Sequence, residues 1–566
     1  MFRTLVRSHD NLGLINLIII TELDAKIREI PYGTGSRFMP EKGCLPGTRT
    51  AFLDFIVNWV NNPVPERSLI LFGQAGTGKS SIAHEIARRF DEMHRLTSSF
   101  IFLRKEQSKP YHLFTTLARD LSDRYPSFKS ALGRVVKDNS SLRAGTRDYP
   151  TLFESLILEP FKDLHIVGPI LVVIDGLDES GDVTGANGLH NFLARNLSRL
   201  PSNFRVFITS RPEDRIQSAF DGAPSARIKY MNDSQLAAQT DADILSFLRH
   251  LLPVDEFEKH GVALARKTEG LFQWAAVAGR FILDPPECFG FSKKECINHL
   301  LKLTTDHADG QDPLDDLYKE VLEGYITHRK TRLLFRSVVG QLITAFEPLS
   351  IRSLTTLRGH ASSDSDDADS VVTMLRRLGS LFSNVNSPDS TLPIIPLHTS
   401  FRDFLINTEK SGEFSIVLRD SHHGLAHACL GLVLRDLRFN ICDIESSYLA
   451  NKDIQDLEAR VAKRIPPALS YACRYYDDHL EHLVFETNLF RKLQTFFETK
   501  FLFWLEALSL TSNVPLALPA FLSVHVWLAS GRSVSLNIFC EAGEQLMTTN
   551  AAALSDRARA IHRIHQ

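Results

Sequence analysis

A doubly wound α/β domain followed by all-helical domains is the fold class this sequence predicts. Three observations predict it. Five short segments between residues 68 and 231 are β-branched or aromatic and nearly continuous in apolar character, as expected when both faces of a parallel sheet are covered. Amphipathic helical stripes fill the gaps between them, which gives the strand–helix alternation of a doubly wound sheet. Beyond about residue 235 the strand-like segments stop and helical stripes take over.

The elements follow in order. Residues 1–40 show weak periodicity and end in a turn-rich run, PYGTGSRFMP, which reads as a short leader. CLPGTRTAFLDFIVNWV (44–60) gives a turn and then a helix with Phe52, Phe55, Ile56 and Trp59 on one face. The five predicted strands are SLILF (68–72), SSFIFL (98–103), PILVVID (169–175), FRVFITS (204–210) and ARIKYM (226–231). Ile82, Ile86 and Phe90 form one intervening helical stripe, and Leu189, Leu193, Leu197 and Leu200 another. Later stripes run through Ile244, Leu248 and Leu251, and through Leu314, Leu317, Tyr318, Val321 and Leu322. ASSDSDDADS (361–370) reads as a solvated acidic loop between helices. No internal repeat is visible, which argues against a solenoid or propeller.

Composition narrows the function classes. The 566 residues are 43% hydrophobic and 23% charged, enough for several cores, and the net charge is −3. Such a balance advertises neither nucleic acid nor an anionic membrane as a partner. Seven scattered cysteines without a Cys-x-x-Cys pair read as reduced, buried thiols of a cytoplasmic protein. Leu12–Ile20 is too short to span a bilayer. Val514–Ala529, interrupted by two prolines and a histidine, reads as a buried helix.

The chemistry sits at the ends of the predicted strands. Gly73, Gln74, Ala75, Gly76, Thr77, Gly78, Lys79 and Ser80, with Ser81 following, fit the phosphate-loop pattern G-x-x-x-x-G-K-[ST]. Its glycines let backbone N–H groups turn inward at a helix N-terminus. Lys79 supplies a charge for β- and γ-phosphates, and the Ser80 hydroxyl is a Mg²⁺ ligand. The pattern arises by chance in roughly one chain in fifty of this length, so its position between a buried strand and an amphipathic helix decides the matter. Asp175 ends the strand of ILVVIDGLDES, where a carboxylate orients Mg²⁺, and Asp178 or Glu179 is placed to polarise an attacking water. In FRVFITSRP, Arg211 follows a third strand and is a candidate γ-phosphate contact; the plainer alternative is a solvent-facing arginine opening a loop.

GQAGTGKS, VVIDGLDE and FITSRPE, in this order, resemble the NACHT branch of the STAND (signal-transduction) ATPases, above all the NACHT proteins of filamentous and mushroom-forming fungi. CLPGTR, EGLFQWAAVA (269–278), LDDLYKEVL (314–322), FEPLSIRSL (346–354) and YACRYYDDHL (471–480) are similar to further segments of that family, so the likeness covers about residues 44–510. It implies a leader (1–43), a phosphate-loop NTPase core with its lead-in helix (44–232), a helical lid (233–312), a winged-helix domain (313–410) and a C-terminal helical domain (411–566). PLHTSFRDFL resembles the winged-helix motif whose histidine contacts the β-phosphate of ADP, which implies that role for His398. From the residues alone, His398 reads instead as the cap of a helix whose Phe401, Phe404 and Leu405 form core.

The resemblance further implies ATP or ADP with Mg²⁺ as ligands, GTP being used by some relatives, together with slow hydrolysis and self-association on activation. It implies a role in non-self recognition or programmed cell death. The family's effector and repeat-sensor parts are not visible here; either partner proteins supply them, or the chain is a shortened paralogue, or the sequence is incomplete. Two other function classes compete: a mechanical AAA+-like ATPase, and a nucleotide-binding scaffold or decoy that regulates larger relatives. No pore-loop or arginine-finger motif favours the first. The predicted winged helix carries only two arginines in IRSLTTLRGH, which argues against DNA.

Overall fold

The computed structural model describes residues 23–33, 37–102, 110–139, 142, 148–181, 188–283, 292–303, 312–359, 366–385, 391–446 and 448–530. The chain divides into two compact units, Met1–Gly279 and Arg280–Gln566.

The first unit is built on five parallel strands: β1 (Ser68–Phe72), β2 (Leu96–Ile101), β3 (Ile170–Asp175), β4 (Phe204–Ser210) and β5 (Ala226–Tyr230), in the spatial order β2-β3-β4-β1-β5. Side chains alternate between the two faces with the period of a strand. Ile70, Phe72, Val172, Ile174, Val206 and Ile208 face one core, together with Phe114, Leu117 and Leu121 of the helix His112–Arg124. Leu69, Leu71, Leu171, Val173 and Phe207 face the other, shared with α1 (Thr50–Asn61) and α2 (Lys79–Glu92). Both faces are therefore covered, as the near-continuous apolar strands predict. Ile27, Ile30 and Phe38, from the stretch read as a leader, are also buried in these cores.

Four of the predicted strands lie within a residue of their observed bounds; β2 starts earlier than its apolar run. Polar Thr97, Ser98 and Ser99 are admitted to the sheet because each finds a partner. Thr97 Oγ1 lies 3.3 Å from the Tyr125 hydroxyl, Ser98 donates to Asp120 at 2.5 Å, and Ser99 accepts from the Phe38 N–H at 3.1 Å. At the opposite edge, β5 is only half-buried, and Arg227 and Lys229 lie over the Phe55 ring at 4.9 and 5.7 Å. Two further helices complete the part of this unit that matters for the site: α3 (Ser234–Leu251) and α4, which begins at Phe272 (Phe272–Leu283).

In its described residues the second unit is mainly helical, with one short antiparallel ribbon, β6 (Phe382–Ser383) and β7 (Ile395–Pro396), followed by α5 (Thr399–Ile406). The acidic stretch differs from expectation. Residues 361–365 lie outside the described residues, but residues 366–370 open the helix Asp366–Arg377 instead of continuing a loop. The apolar Val514–Ala529 run forms a short 3₁₀ turn and the helix Ala517–Ser530, which buries Phe521, Val524 and Trp527. No helix among the described residues is long and apolar enough to cross a membrane; Leu12–Ile20 lies outside them.

Two long helices, α6 (Leu418–Asp436) and α7 (Pro467–Glu481), pack through a buried polar chain. His422 Nδ1 meets His479 Nδ1 at 2.9 Å, His479 Nε2 meets the Tyr471 hydroxyl at 2.9 Å, and that hydroxyl accepts from the Phe346 N–H at 3.2 Å. Burial, with His482 and Arg402 nearby, pushes His422 down to about 3, and burial also holds His479 well below the ordinary histidine value. The folded imidazoles refuse a proton that the unfolded chain accepts near pH 6.5, so stability falls as pH drops below that value. Each contributes a slope of up to about 1.4 kcal/mol per pH unit. Urea unfolding followed by circular dichroism should show a lower midpoint at pH 5.0 than at pH 7.5, and equal midpoints would contradict it.

Candidate functional site

The site is assembled at the carboxyl edge of the sheet. The loop after β1 turns sharply because Gly76 and Gly78 adopt φ of +79° and +92°, a region that disfavours a Cβ. Gly73 is constrained differently: a Cβ there would stand 2.5 Å from Met231 and 2.9 Å from the Thr77 hydroxyl. The Gly73 N–H donates to Ser210 O at 3.2 Å, fastening the loop to the end of β4. Lys79 opens α2 and curls back, donating to Gly73 O at 2.7 Å and Gln74 O at 2.9 Å. Burial brings its ammonium down to about 8, opposed by the carboxylates of Asp178 and Asp175. Ser80 is exposed and Ser81 half-buried on the first turn of α2.

Asp175 ends β3 and is 4% exposed. Strand β4 lies between β3 and β1, so Thr209 stands beside Asp175. The Thr209 hydroxyl donates to Asp175 and accepts from the Gly176 N–H at 3.1 Å. Gly176, at φ +73°, turns the chain into the 3₁₀ turn Leu177–Glu179. Asp178 accepts the Arg211 N–H on Oδ1 at 2.9 Å, and its Oδ2 lies 3.2 Å from Arg211 Nε. Arg211 is thus held by a nearly buried carboxylate, and the alternative of a solvent-facing loop arginine does not describe it. Asp178 Oδ1 is held by the Arg211 N–H, while its shielded Oδ2 lies close to Arg211 Nε without a hydrogen bond, so Asp178 and Glu179 both stay candidates for orienting a water.

The sequence reading assigned no role to Arg49. It sits in CLPGTR just before α1, 3% exposed and at φ 56°, after a turn made by Gly47 at φ +86°. Arg49 Nη2 donates to Thr77 O of the loop at 3.1 Å, and Nη1 donates to Thr240 Oγ1 of α3 at 2.7 Å. Its backbone N–H donates to Asp243 at 3.0 Å, and its guanidinium lies 4.9 Å from the centre of the Phe272 ring of α4. The Gln273 N–H of α4 adds a bond to Gly76 O at 3.1 Å. The loop therefore hangs from two helices through one buried cation and one amide. The glycine and arginine of CLPGTR were the available signal, but the partner residues are too far along the chain to be read from it.

His398 belongs to the second unit. It caps α5, with Nδ1 accepting from the Ser400 N–H at 3.1 Å and lying 2.7 Å from Ser400 Oγ, which in turn meets the Tyr318 hydroxyl at 2.8 Å. The capping geometry described from the residues alone is therefore present. Phe401, Phe404 and Leu405 are buried on the same helix.

The donor set suits a polyphosphate and a divalent cation. It offers a half-buried ammonium, a loop shaped by left-handed glycines at a helix start, a hydroxyl, and a buried carboxylate at the neighbouring strand ends. The protein family described as Nephrocystin 3, N-terminal, matches residues 47–211, which hold the phosphate loop, Asp175, Asp178, Glu179 and Arg211. The vegetative incompatibility protein HET-E-1 of Podospora anserina is 25% identical over 393 residues, 64% of this chain. The chain is similar to a fungal NACHT-type protein. The chain spans 27% of the length of that relative. The match covers the phosphate loop, Arg49 and the strand-end residues but not Thr240, Asp243, Phe272, Gln273 or His398.

Proposed function

We propose that the chain is a nucleotide-dependent signalling switch of the STAND type, closed with ADP and competent to self-associate with ATP. The observation that supports it best is the convergence of Lys79, Asp175, Asp178, Glu179 and Arg211 at one sheet edge. In this reading Gly73–Ser81 cradle the phosphates and Lys79 neutralises them, while Ser80 and Asp175 hold Mg²⁺. The nucleotide supplies a γ-phosphate whose presence or absence is the signal. Arg211, paired with Asp178, is drawn to that charge, and Asp178 or Glu179 orients water for a slow resetting hydrolysis. His398 extends the reading to the winged-helix segment, as the group that favours ADP in the closed state.

A decisive switch needs a difference of about 3–5 kcal/mol between states. Cytoplasmic signalling in non-self recognition or cell death, with partner proteins completing the assembly and ATP or GTP as the nucleotide, belongs to the same proposal. Denaturing the purified protein and identifying the released nucleotide tests it, with light scattering in ADP and in a non-hydrolysable ATP analogue. ADP should be released. His398→Leu should weaken ADP retention by roughly ten- to a hundredfold, the scale of a hydrogen bond to a charged group. A nucleotide-free protein whose ADP affinity is the same in the variant would sink the proposal.

A further inference from the structure

A second cluster of chemistry-bearing side chains lies in the helical unit, on the same helix as His422. Helix α6 carries His423 and His427 one turn apart, on the same stripe, with ring centroids 4.6 Å apart. Facing them is Glu486, the residue before α8 (Thr487–Thr499). Glutamate is an unusual choice for a helix N-cap, and this one makes no side-chain capping bond. Its carboxylate turns instead to the histidines, with Oε2 2.6 Å from His423 Nε2 and Oε1 3.6 Å from His427 Nε2.

One ligand atom from each residue lies within 4.8 Å of the other two. The His427 Nε2 atom is shielded from solvent and makes no hydrogen bond. The close His423–Glu486 pair leaves this shielded nitrogen 3.6 Å from the second carboxylate oxygen, near enough for an ion pair but with no hydrogen bond to satisfy it. The nearby cation, Lys492, donates to His427 O at 3.1 Å, so its ammonium is directed at the backbone.

We propose that His423, His427 and Glu486 form a zinc(II) site that fastens α6 to α8. Two imidazoles and a carboxylate are a donor set suited to Zn²⁺, and three protein ligands leave a fourth position for water or an outside group. Bonds of about 2.0–2.2 Å place tetrahedral ligands roughly 3.3 Å apart, so the side chains need only small rotations. His423, half-exposed, gives the ion a path in.

The test uses the full chain stripped with a chelator and titrated with Zn²⁺ alone by calorimetry. One equivalent should bind with micromolar or tighter affinity and raise the melting temperature, and Co²⁺ in its place should give the visible spectrum of a four-coordinate ion. Altering an outer-shell partner already costs 10–100-fold, so His427→Ala and Glu486→Gln should each weaken binding by at least about 100-fold. His328→Ala, at an exposed histidine elsewhere, should change nothing. Exposed His423→Ala provides a variant with little risk to folding. The proposal is overturned if the wild-type chain shows no stoichiometric binding and no thermal shift, or if binding persists unchanged in the His423→Ala/His427→Ala double variant.

Discussion

Replacing Lys79 with Ala is expected to remove nucleotide binding at any concentration a cell supplies, at a cost of roughly 2–5 kcal/mol, the range for truncating one partner of a buried, hydrogen-bonded charge pair. Lys79 is the cation that closes the loop through Gly73 O and Gln74 O, and it lies among the carboxylates of Asp175 and Asp178. Without it those carboxylates face an incoming phosphate with less positive charge to offset them. The depressed value of about 8 adds a pH signature. A bound phosphate favours the charged ammonium, so affinity should fall as pH rises through 8 and the free site loses its proton. Titration with a fluorescent ADP analogue at pH 7 and pH 9 measures both effects. Equal affinity in the wild type and Lys79→Ala would remove Lys79 from the site.

Arg49 carries the second large effect. Arg49→Ala should destabilise the α/β unit by about 2–3 kcal/mol, through lost bonds to Thr77 O and Thr240 Oγ1 and lost stacking on Phe272. The figure is moderated because burial already disfavours this charge and its Nε finds no partner. Arg49→Lys should rescue little of it. A single ammonium cannot reach the loop carbonyl and the α3 hydroxyl together, nor stack as a planar group does. Both variants should also bind nucleotide more weakly, because the loop loses its tether to α3 and α4. Urea unfolding and the same fluorescent titration report the two effects, and a lysine variant that matches the wild type in both would show that Arg49 is only filler.

The strands that form the sheet were legible wherever apolar residues ran without interruption, as in β1, β3 and β4. The start of β2 was not, since Thr97, Ser98 and Ser99 are made acceptable by Tyr125, Asp120 and Phe38, none of them sequence neighbours. The site divides in the same way. Gly73–Ser80 and Asp175 declare themselves because their chemistry depends on local spacing. The Asp178–Arg211 pair and the Arg49 tether depend on which strand lies beside which, and on a helix that begins some 190 residues after Arg49. The acidic stretch shows a further limit: composition alone suggested a loop, whereas the backbone uses its latter part to begin a helix.

The cationic edge of β5 bears on how crowded copies of this protein behave. An edge strand offers a row of backbone donors and acceptors to any other extended chain. Arg227 and Lys229 project from this one and are held over Phe55. Two such edges brought together would meet positive charge with positive charge, so prolonging the sheet from one molecule into the next is electrostatically opposed. High local concentration, which the proposed self-association would require, is thereby kept from seeding fibrils along this strand.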